Sequence, residues 1–269
     1  LTFTGGGELD NGLTVGISFV LDQGDSETDT ATGAGTAPFD SHSVSISSDA
    51  LGKITMHGEG GSSAQAALDT TAAGDIWDTF DGTTTGVKVK SSSGGADVLV
   101  YALPTIMDDL AISASYSPQQ ANASSATAYA ATYSGVEGLS VSYGVGDKFD
   151  SAAGVSADST TMKASYAIGS FTLAYSNNDF DTSAADLDQE TESYKVSYTV
   201  SDEISVTYGT EEIKLESDSD EAEYEQFTVA YTTGGMTVTA TQASSTDGLH
   251  GTTDLEDRDY WSLGLAFAF

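Results

Sequence analysis

Residues 260–269 read Tyr-Trp-Ser-Leu-Gly-Leu-Ala-Phe-Ala-Phe, and this stretch decides the expected fold. Successive side chains of an extended strand point to opposite faces. One face of this strand would carry the bulky apolar side chains Trp261, Leu263, Leu265, Phe267 and Phe269. The other face would carry only the small side chains Ser262, Gly264, Ala266 and Ala268. Such a strand indicates a wall with lipid outside and a crowded or aqueous interior.

Length and composition limit the alternatives. The chain has 269 residues, enough for one large all-β domain, and 39% of them are hydrophobic. It contains no apolar run of about 18 residues, so no transmembrane helix is expected. It also contains no cysteine, which excludes disulfide scaffolds and cysteine-based metal sites.

The charge is strongly acidic. Eight basic and 41 acidic residues give a formal net charge of −33, so nucleic acid is excluded as a partner. Acidity of this degree also occurs in disordered chains. The 13 Tyr, the 10 Phe and the many alternating segments favour a folded protein instead.

Alternation of apolar and small residues recurs along most of the chain and predicts strands, for example over 139–148, 159–168, 171–178 and 191–200. Short turns such as Asn11-Gly12, Gly169-Ser170 and Gly234-Gly235 connect some of the strands. Longer acidic loops, at 23–42, 149–158, 179–190, 216–222 and 245–256, connect the others. Short turns at one end and long loops at the other are typical of outer-membrane barrels.

The pattern gives fifteen strands, whereas a bacterial single-chain barrel has an even number. We therefore expect a single transmembrane antiparallel β-barrel over 1–269, with sixteen strands of which the first precedes Leu1. Tyrosines near strand ends, among them Tyr143, Tyr175 and Tyr208, are either aromatic girdles or ordinary strand formers.

One connection breaks the pattern, because about 27 residues (60–86) separate two strands. We expect this loop to fold inward, with Ile76, Trp77 and Phe80 anchoring it on the inner wall. Its carboxylates would then surround the opening: Asp69, Asp75, Asp78 and Asp81. The alternative is an outward, solvated loop, which seldom needs a Trp.

Three parts of the chain carry a resemblance: residues 48–59 with the long loop behind them, residues 8–16, and Phe269 with Trp261. Together they resemble the general bacterial porins, most closely their alphaproteobacterial branch. Residues 48–59 and the loop look like the fifth strand and constriction loop of that family. Residues 8–16 look like its second strand, first turn and third strand, and Phe269, with Trp261, like its C-terminal insertion signal. The resemblance implies an outer-membrane homotrimer in which each barrel passes small hydrophilic solutes. It also implies that the early strands and the loop 23–42 form the contact between the subunits.

Porins of this family usually oppose an acidic loop with basic wall residues, but here carboxylates outnumber cations. Lys53 and His57 share the polar side of their strand with Glu59 and are expected to face the loop. Further wall lysines, by parity, are Lys148, Lys163 and Lys195. Because a narrow passage lined by one sign of charge concentrates the opposite ion, we predict cation preference.

No cofactor is expected, and no catalytic motif is present, so the sequence does not predict an enzyme. Acidic loops are candidates for Ca²⁺ or Mg²⁺ binding, which would also bridge the surface to lipopolysaccharide and outer-membrane lipids. The candidate ligands are Glu216, Asp218, Asp220 and Glu221. The alternative is a solvated acidic loop.

Two other functions would also fit part of this sequence pattern. A secreted or surface-attached acidic adhesin or Ca²⁺-dependent structural module would also show alternation, because a soluble sheet buries one face. The small residues opposite each apolar face favour the barrel. A sugar- or phosphate-selective channel is less favoured, because aromatic residues mostly have the lipid-facing parity and basic residues are scarce.

Overall fold

A computed structural model describes residues 1–21, 39–80, 88–118, 124–150, 155–184, 187–217, 221–248 and 257–268. Its helical structure is limited to two 3-10 turns, Ala66–Leu68 and Ile76–Thr79. Among the described residues, none of the helices is both long enough and apolar enough to cross a membrane.

Fifteen strands form one sheet, in which each strand pairs antiparallel with its neighbours in the sequence. Their bounds are β1 Thr2–Glu8, β2 Thr14–Leu21, β3 Phe39–Ser48, β4 Gly52–Glu59, β5 Val98–Ala102, β6 Leu110–Ser117, β7 Ala126–Val136, β8 Leu139–Asp150, β9 Val155–Ile168, β10 Phe171–Thr182, β11 Gln189–Thr199, β12 Ile204–Leu215, β13 Ala222–Thr233, β14 Met236–Thr246 and β15 Arg258–Phe267. Within the described residues β1 and β15 are the two edges of the sheet, and no ladder joins them. The all-β antiparallel architecture predicted from alternation is confirmed.

The polarity of the sheet is the reverse of that of a soluble protein. On β15 the side chains of Trp261 and Leu263 are 79% and 63% exposed. On β10 Leu173 is exposed, whereas Ser176 on the opposite face is fully buried at 0% exposure. No second sheet covers the bulky groups in the described part of the chain. We call the two sides the apolar face and the polar face.

Register aligns particular residues across the polar face. One row runs over the five adjacent strands β8 to β12 and contains Ser142, Lys163, Ser176, Ser193 and Glu211. Each member lies directly opposite the next across a strand pair. Because opposed side chains on one face have Cβ atoms about 4.5–5.5 Å apart, this row forms a continuous strip of hydrogen-bonding groups.

The hairpins that end in long loops extend further than the sequence predicted. Strand β8 continues to Asp150 and β9 begins at Val155, and likewise β10 continues to Thr182 and β11 begins at Gln189. The predicted loops 149–158 and 179–190 were therefore too wide. Ladder hydrogen bonds come from the backbone, so pairing continues through polar residues that lack the apolar signal.

The opposite ends of the strands turn tightly. Gly138 has a φ of +77° between β7 and β8. A Cβ atom at this position would lie 2.3 Å from the carbonyl oxygen of Ala167, so the turn requires glycine.

Candidate functional site

The long connection between β4 and β5 lies across the polar face, and we call its residues 61–80 the crossing segment. At its base Gly61 and Gly95 exchange backbone hydrogen bonds of 2.8 and 2.5 Å. From there its contacts run from β6, near Ser115, to β15, near Arg258. An irregular segment in a buried position must find partners for its backbone groups, and the polar face supplies them.

The first anchor is built around Gln65, which is fully buried. Its Nε2 donates to Thr161 Oγ1 at 2.7 Å, and its Oε1 accepts from the backbone N–H of Ser92 at 2.8 Å. Thr161 Oγ1 in turn donates to Asn178 Oδ1 at 2.5 Å. The neighbouring N–H of Ala64 donates to Ser115 Oγ at 2.9 Å.

The second anchor uses side chains of the polar face to satisfy the backbone of residues 69–73. Two serine hydroxyls of the row accept backbone hydrogen bonds, Ser176 from Ala72 at 2.8 Å and Ser193 from Ala73 at 2.9 Å. Two longer side chains donate to carbonyl oxygens: Asn178 to Asp69 at 3.2 Å and Lys163 to Thr70. The polar row therefore serves as a template for an extended piece of backbone.

Glu211 is the third anchor, and its side chain is only 2% exposed. Its carboxylate accepts a hydrogen bond from Thr71 Oγ1 and another from the backbone N–H of Trp77, at 3.1 Å. Hydrogen bonds to a charged group are stronger than neutral ones, at about 1.5–3 kcal/mol each. Glu211 thus ties two parts of the crossing segment to β12.

The end of the crossing segment is held by apolar packing. Ile76 is 1% exposed and packs in a cluster with Ile213, Ala222, Tyr224 and Ala243. Ala73, Trp77 and Phe80 pack against this cluster. The Phe80 and Tyr224 rings lie 5.9 Å apart, and Arg258 Nη1 donates to the Phe80 carbonyl oxygen at 3.2 Å. Burying a side chain such as Ile76 contributes roughly 1.5–3 kcal/mol.

The predicted loop carboxylates have different surroundings. Burial raises the pKa of the Asp69 carboxyl, although a 2.5 Å hydrogen bond from Ser91 Oγ acts in the opposite direction. Asp75 adopts a left-handed conformation, with φ of 58°, and accepts from the Thr71 N–H at 2.8 Å. Asp78 is exposed. Asp81 lies outside the described residues.

Basic side chains lie on the polar face, close to the crossing segment. Lys53 and His57 share that face of β4, and His57 packs against Gly61. Glu59, predicted on the same face, does not lie there. A register shift between His42 and Ser43 places Glu59 opposite His42, which has the parity of the exposed Val44 and Ile46 on the apolar face. Lys163 and Lys195 follow on β9 and β11, and Lys148 on β8.

Two lysines, Lys90 and Lys148, lie next to the ring of Phe180. The ammonium groups of Lys90 and Lys148 each lie 5.5 Å from the centre of its ring. Burial is the main cause of a lowered pKa at Lys90.

Strand carboxylates mostly lie on the apolar side of the sheet, which the sequence analysis did not anticipate. They have the parity of the bulky residues and cluster towards the long-loop ends: Asp179, Glu190, Glu192, Glu212, Glu223 and Glu225. Near the crossing segment, acidic and basic groups are therefore more evenly matched than the net charge of −33 implies.

Two other predicted sites are only partly described. Glu221 and Glu212 flank Lys214, at 3.4 and 2.6 Å, while Asp218 and Asp220 lie outside the described residues. Within the described ranges, no group of three or more acidic or histidine side chains is arranged to hold a metal ion. Trp261 stands exposed on the apolar face, and Phe269 is not among the described residues.

Sequence reasoning missed the residues that anchor the crossing segment, in particular Gln65, Thr161, Asn178 and Glu211. One signal was available. Asn178 and Glu211 are large polar side chains at positions of the strand pattern where small residues predominate. The partners that they hold, 109 and 134 residues away in the chain, are visible only in the structure.

Comparisons with known proteins are consistent with this geometry. The sequence model of the Gram-negative porin family matches residues 1–269. An anion-selective porin from Comamonas acidovorans has a TM-score of 0.67 and 14% identity, covering 99% of this chain and 84% of that one. OmpF of Salmonella typhi, solved in complex with daunomycin, has a TM-score of 0.67 and 13% identity, and the match covers 99% of this chain and 88% of OmpF. The trimer form of Vibrio cholerae OmpT has a TM-score of 0.60 and 13% identity, and the match covers 99% of this chain and 89% of OmpT. None of the curated proteins searched matches the chain.

Proposed function

Since the chain belongs to the Gram-negative porin family, and is thus a porin of the bacterial outer membrane, we propose that it is a diffusion channel narrowed by residues 60–86. Small hydrophilic solutes and ions would pass without a cofactor and without catalysis. One observation carries the proposal: the crossing segment is hydrogen-bonded along a face lined by Ser, Thr and Asn, while the bulky apolar groups point the other way.

The constriction would be formed between the crossing segment and the lysine-bearing strands. Asp75 and Asp78 belong to the part of the segment that remains in contact with solvent, and Asp81 follows directly. Lys53 and His57 lie on the polar face of β4, the strand from which the segment leaves. Ile76, Trp77 and Phe80 would keep the segment against the wall and hold the opening at a fixed width.

We further propose that the channel prefers cations. The support is the carboxylates of the crossing segment, among them Asp75 and Asp78, in a passage where solvent screening is weaker than in bulk water. The wall lysines act in the opposite direction. The fold does not decide the sign, because an anion-selective porin is among the similar structures.

A salt gradient across a planar bilayer containing the purified protein tests both parts. We expect stepwise conductance and a reversal potential of the sign that marks a higher permeability for potassium than for chloride. A reversal potential of the opposite sign would refute cation preference and leave the channel intact. Absence of conductance from correctly folded protein would refute the channel itself.

A homotrimer is proposed as the working assembly. The exposed apolar groups on β1 to β4, such as Phe3, Ile17, Val44 and Ile46, supply a surface for it. The similar Vibrio cholerae protein is described in a trimer form. The loop 23–42, which we also expected at this contact, lies largely outside the described residues. Cross-linking followed by electrophoresis with and without heating measures the assembly.

Binding of Ca²⁺ or Mg²⁺ at the acidic loops, with bridging to lipopolysaccharide, stays a prediction. Glu216 and Glu221 border residues that are not described.

The competing interpretation, a water-soluble adhesin, is disfavoured by the uncovered apolar face. A protein that stays soluble and monomeric without detergent would restore that interpretation.

A further inference from the structure

A cavity of about 440 Å³ lies between the crossing segment and the polar face of β8 to β11. Six of its lining residues matter chemically: Thr70, Ser140, Ser142, Lys163, Ser165 and Lys195. The cavity therefore combines two ammonium groups with several hydroxyl groups.

Register brings the two lysines together. Lys163 lies opposite Ser176 on β10, and Lys195 lies opposite Ala174, two residues along the same strand. The two ammonium groups repel each other electrostatically. Bringing two like charges together in a confined space is unfavourable unless an opposite charge offsets them.

Neither lysine forms an ion pair with a described residue. Lys163 uses one of its three N–H donors on the Thr70 carbonyl oxygen and feels attraction from Asp69 and Asp75. Lys195 makes no hydrogen bond or ion pair with any described residue. At least two donors of Lys163 and all three of Lys195 are therefore left for a ligand or for water.

The serine hydroxyls complete the donor set. Ser140 and Ser165 lie directly opposite each other on β8 and β9. Ser142 shares a hydrogen bond of 2.8 Å with Thr132, so its oxygen is already oriented. Hydroxyl and ammonium donors together suit an oxygen-rich anion, because charge-assisted hydrogen bonds are about twice as strong as neutral ones.

We propose that this cavity is a binding site for a small oxyanion, a phosphate, sulfate or carboxylate group, within the channel. The proposal rests on the proposed channel function, since it places the site in the diffusion path. A cation would meet two positive charges there, and a neutral sugar would leave the ammonium group of Lys195 without an opposite charge. The site would act locally and retain oxyanions in a channel whose crossing segment favours cations.

Titration of the detergent-solubilised protein with inorganic phosphate tests the site directly, by isothermal calorimetry. We expect saturable binding that Lys195→Gln weakens about tenfold, because a charge-assisted hydrogen bond is lost. Lys195 is the preferred position, because no described contact to the crossing segment depends on it. The matched control is Lys148→Gln, which removes a lysine of the same face outside the cavity and should change the affinity less than about twofold.

A variant that keeps the charge but removes a hydroxyl group tests whether phosphate is bound by specific hydrogen bonds or only by the positive charge of the wall. Ser165→Ala should weaken phosphate binding roughly threefold, because it removes a neutral hydrogen-bond donor, which contributes less than a charged one. Absence of saturable binding overturns the proposal. Equal losses in Lys148→Gln and Lys195→Gln, or no loss in Ser165→Ala, overturn it as well.

Conductance separates this inference from the proposed function. Phosphate added at constant potassium chloride should reduce the current of the wild-type channel, and Lys195→Gln should relieve the reduction. If the protein conducts but phosphate neither binds nor blocks, the oxyanion site is wrong and the channel stands. If nothing conducts, the channel fails, and calorimetry still decides whether the site exists.

Discussion

The neighbours Glu211 and Glu212 of β12 show how differently the two faces of the sheet use charge. Glu211 is buried on the polar face, where it holds Thr71 and the backbone of Trp77. Glu212 lies on the other face, directly opposite Glu192 on one side and Glu223 on the other. Like charges opposed across strands destabilise a sheet, and here Lys214, 2.6 Å from Glu212, offsets part of that repulsion.

Tyrosines mark the level at which the outward surface changes character. Tyr175 donates its hydroxyl to Glu192 at 3.0 Å, and Tyr208 donates to Glu225 at 2.8 Å. Outward residues between these contacts and the tight turns are apolar or aromatic, and those on the long-loop side are polar and mostly acidic. Tyr and Trp favour such boundaries because they join an apolar ring to a polar tip, which supports the girdle interpretation. On the polar face a charged group such as Glu211 therefore makes defined hydrogen bonds to the crossing segment, whereas the outward carboxylates form a row of like charges.

The largest expected effect comes from placing a charge on the wrong face. Leu263→Lys puts an ammonium on the apolar face of β15, which costs about 2–4 kcal/mol near the bilayer centre. Ser262→Lys, one residue away on the polar face, is the control and should cost much less. Urea titration of refolding into lipid vesicles measures both. Equal costs would contradict the assignment of the two faces.

Removal of the buried carboxylate should have the next largest effect. Glu211→Ala leaves the Trp77 N–H and the Thr71 hydroxyl without their acceptor, a loss of about 2–3 kcal/mol in local stability. Glu212→Ala removes the same group from the other face and should leave the crossing segment unchanged. Hydrogen exchange over residues 71–80, read by mass spectrometry, compares the variants. Unchanged protection in Glu211→Ala would show that Glu211 is not needed to hold the segment.

Selectivity should respond to charge on only one side of the wall. Combined Asp75→Asn and Asp78→Asn substitutions should lower the potassium-to-chloride permeability ratio by about threefold, because they remove carboxylates beside the passage. Glu192→Gln, on the outward face, should leave the ratio nearly unchanged. Reversal potentials in a salt gradient give the ratio. An equal change in both proteins would mean that selectivity arises from the overall charge.

The smallest effect should be a pH dependence. Burial raises the pKa of Asp69, so this carboxyl binds a proton, and loses its negative charge, at a higher pH than an exposed aspartate. On acidification, cation preference should therefore begin to decline above the ordinary aspartate value of about 3.9. Asp69→Asn should remove this early part of the decline, while Asp78→Asn keeps it. A wild-type profile without the early phase would show that Asp69 does not influence the passing ions.

Much of the fold could be predicted from the sequence, because the alternation of side chains is a property of each strand by itself. Alternation along β10 predicted that Phe171, Leu173 and Tyr175 share a face, because side chains alternate by covalent geometry in any strand. The ends of β10 and β11 were less predictable. The residues there that lie beyond the predicted strands 171–178 and 191–200, such as Asp179 and Gln189, carry no apolar signal and yet continue the ladder.

The site was harder to predict because its contacts are distant in sequence. The loop 60–86 was conspicuous by its length, and Ile76, Trp77 and Phe80 by their apolarity. Nothing in a local pattern indicates that Gln65 lies beside Thr161. That contact depends on the register of several hairpins at once.

By itself, the sequence determined that the chain forms a one-layered antiparallel wall with an apolar and a polar face, because a period of two is a property of each strand. Only the tertiary structure decided which polar groups meet the crossing segment. It is the pairing of β8 to β12 that aligns Ser142, Lys163, Ser176, Ser193 and Glu211 in one row. The buried backbone of the segment needs hydrogen-bond partners, and that row is where it finds several of them.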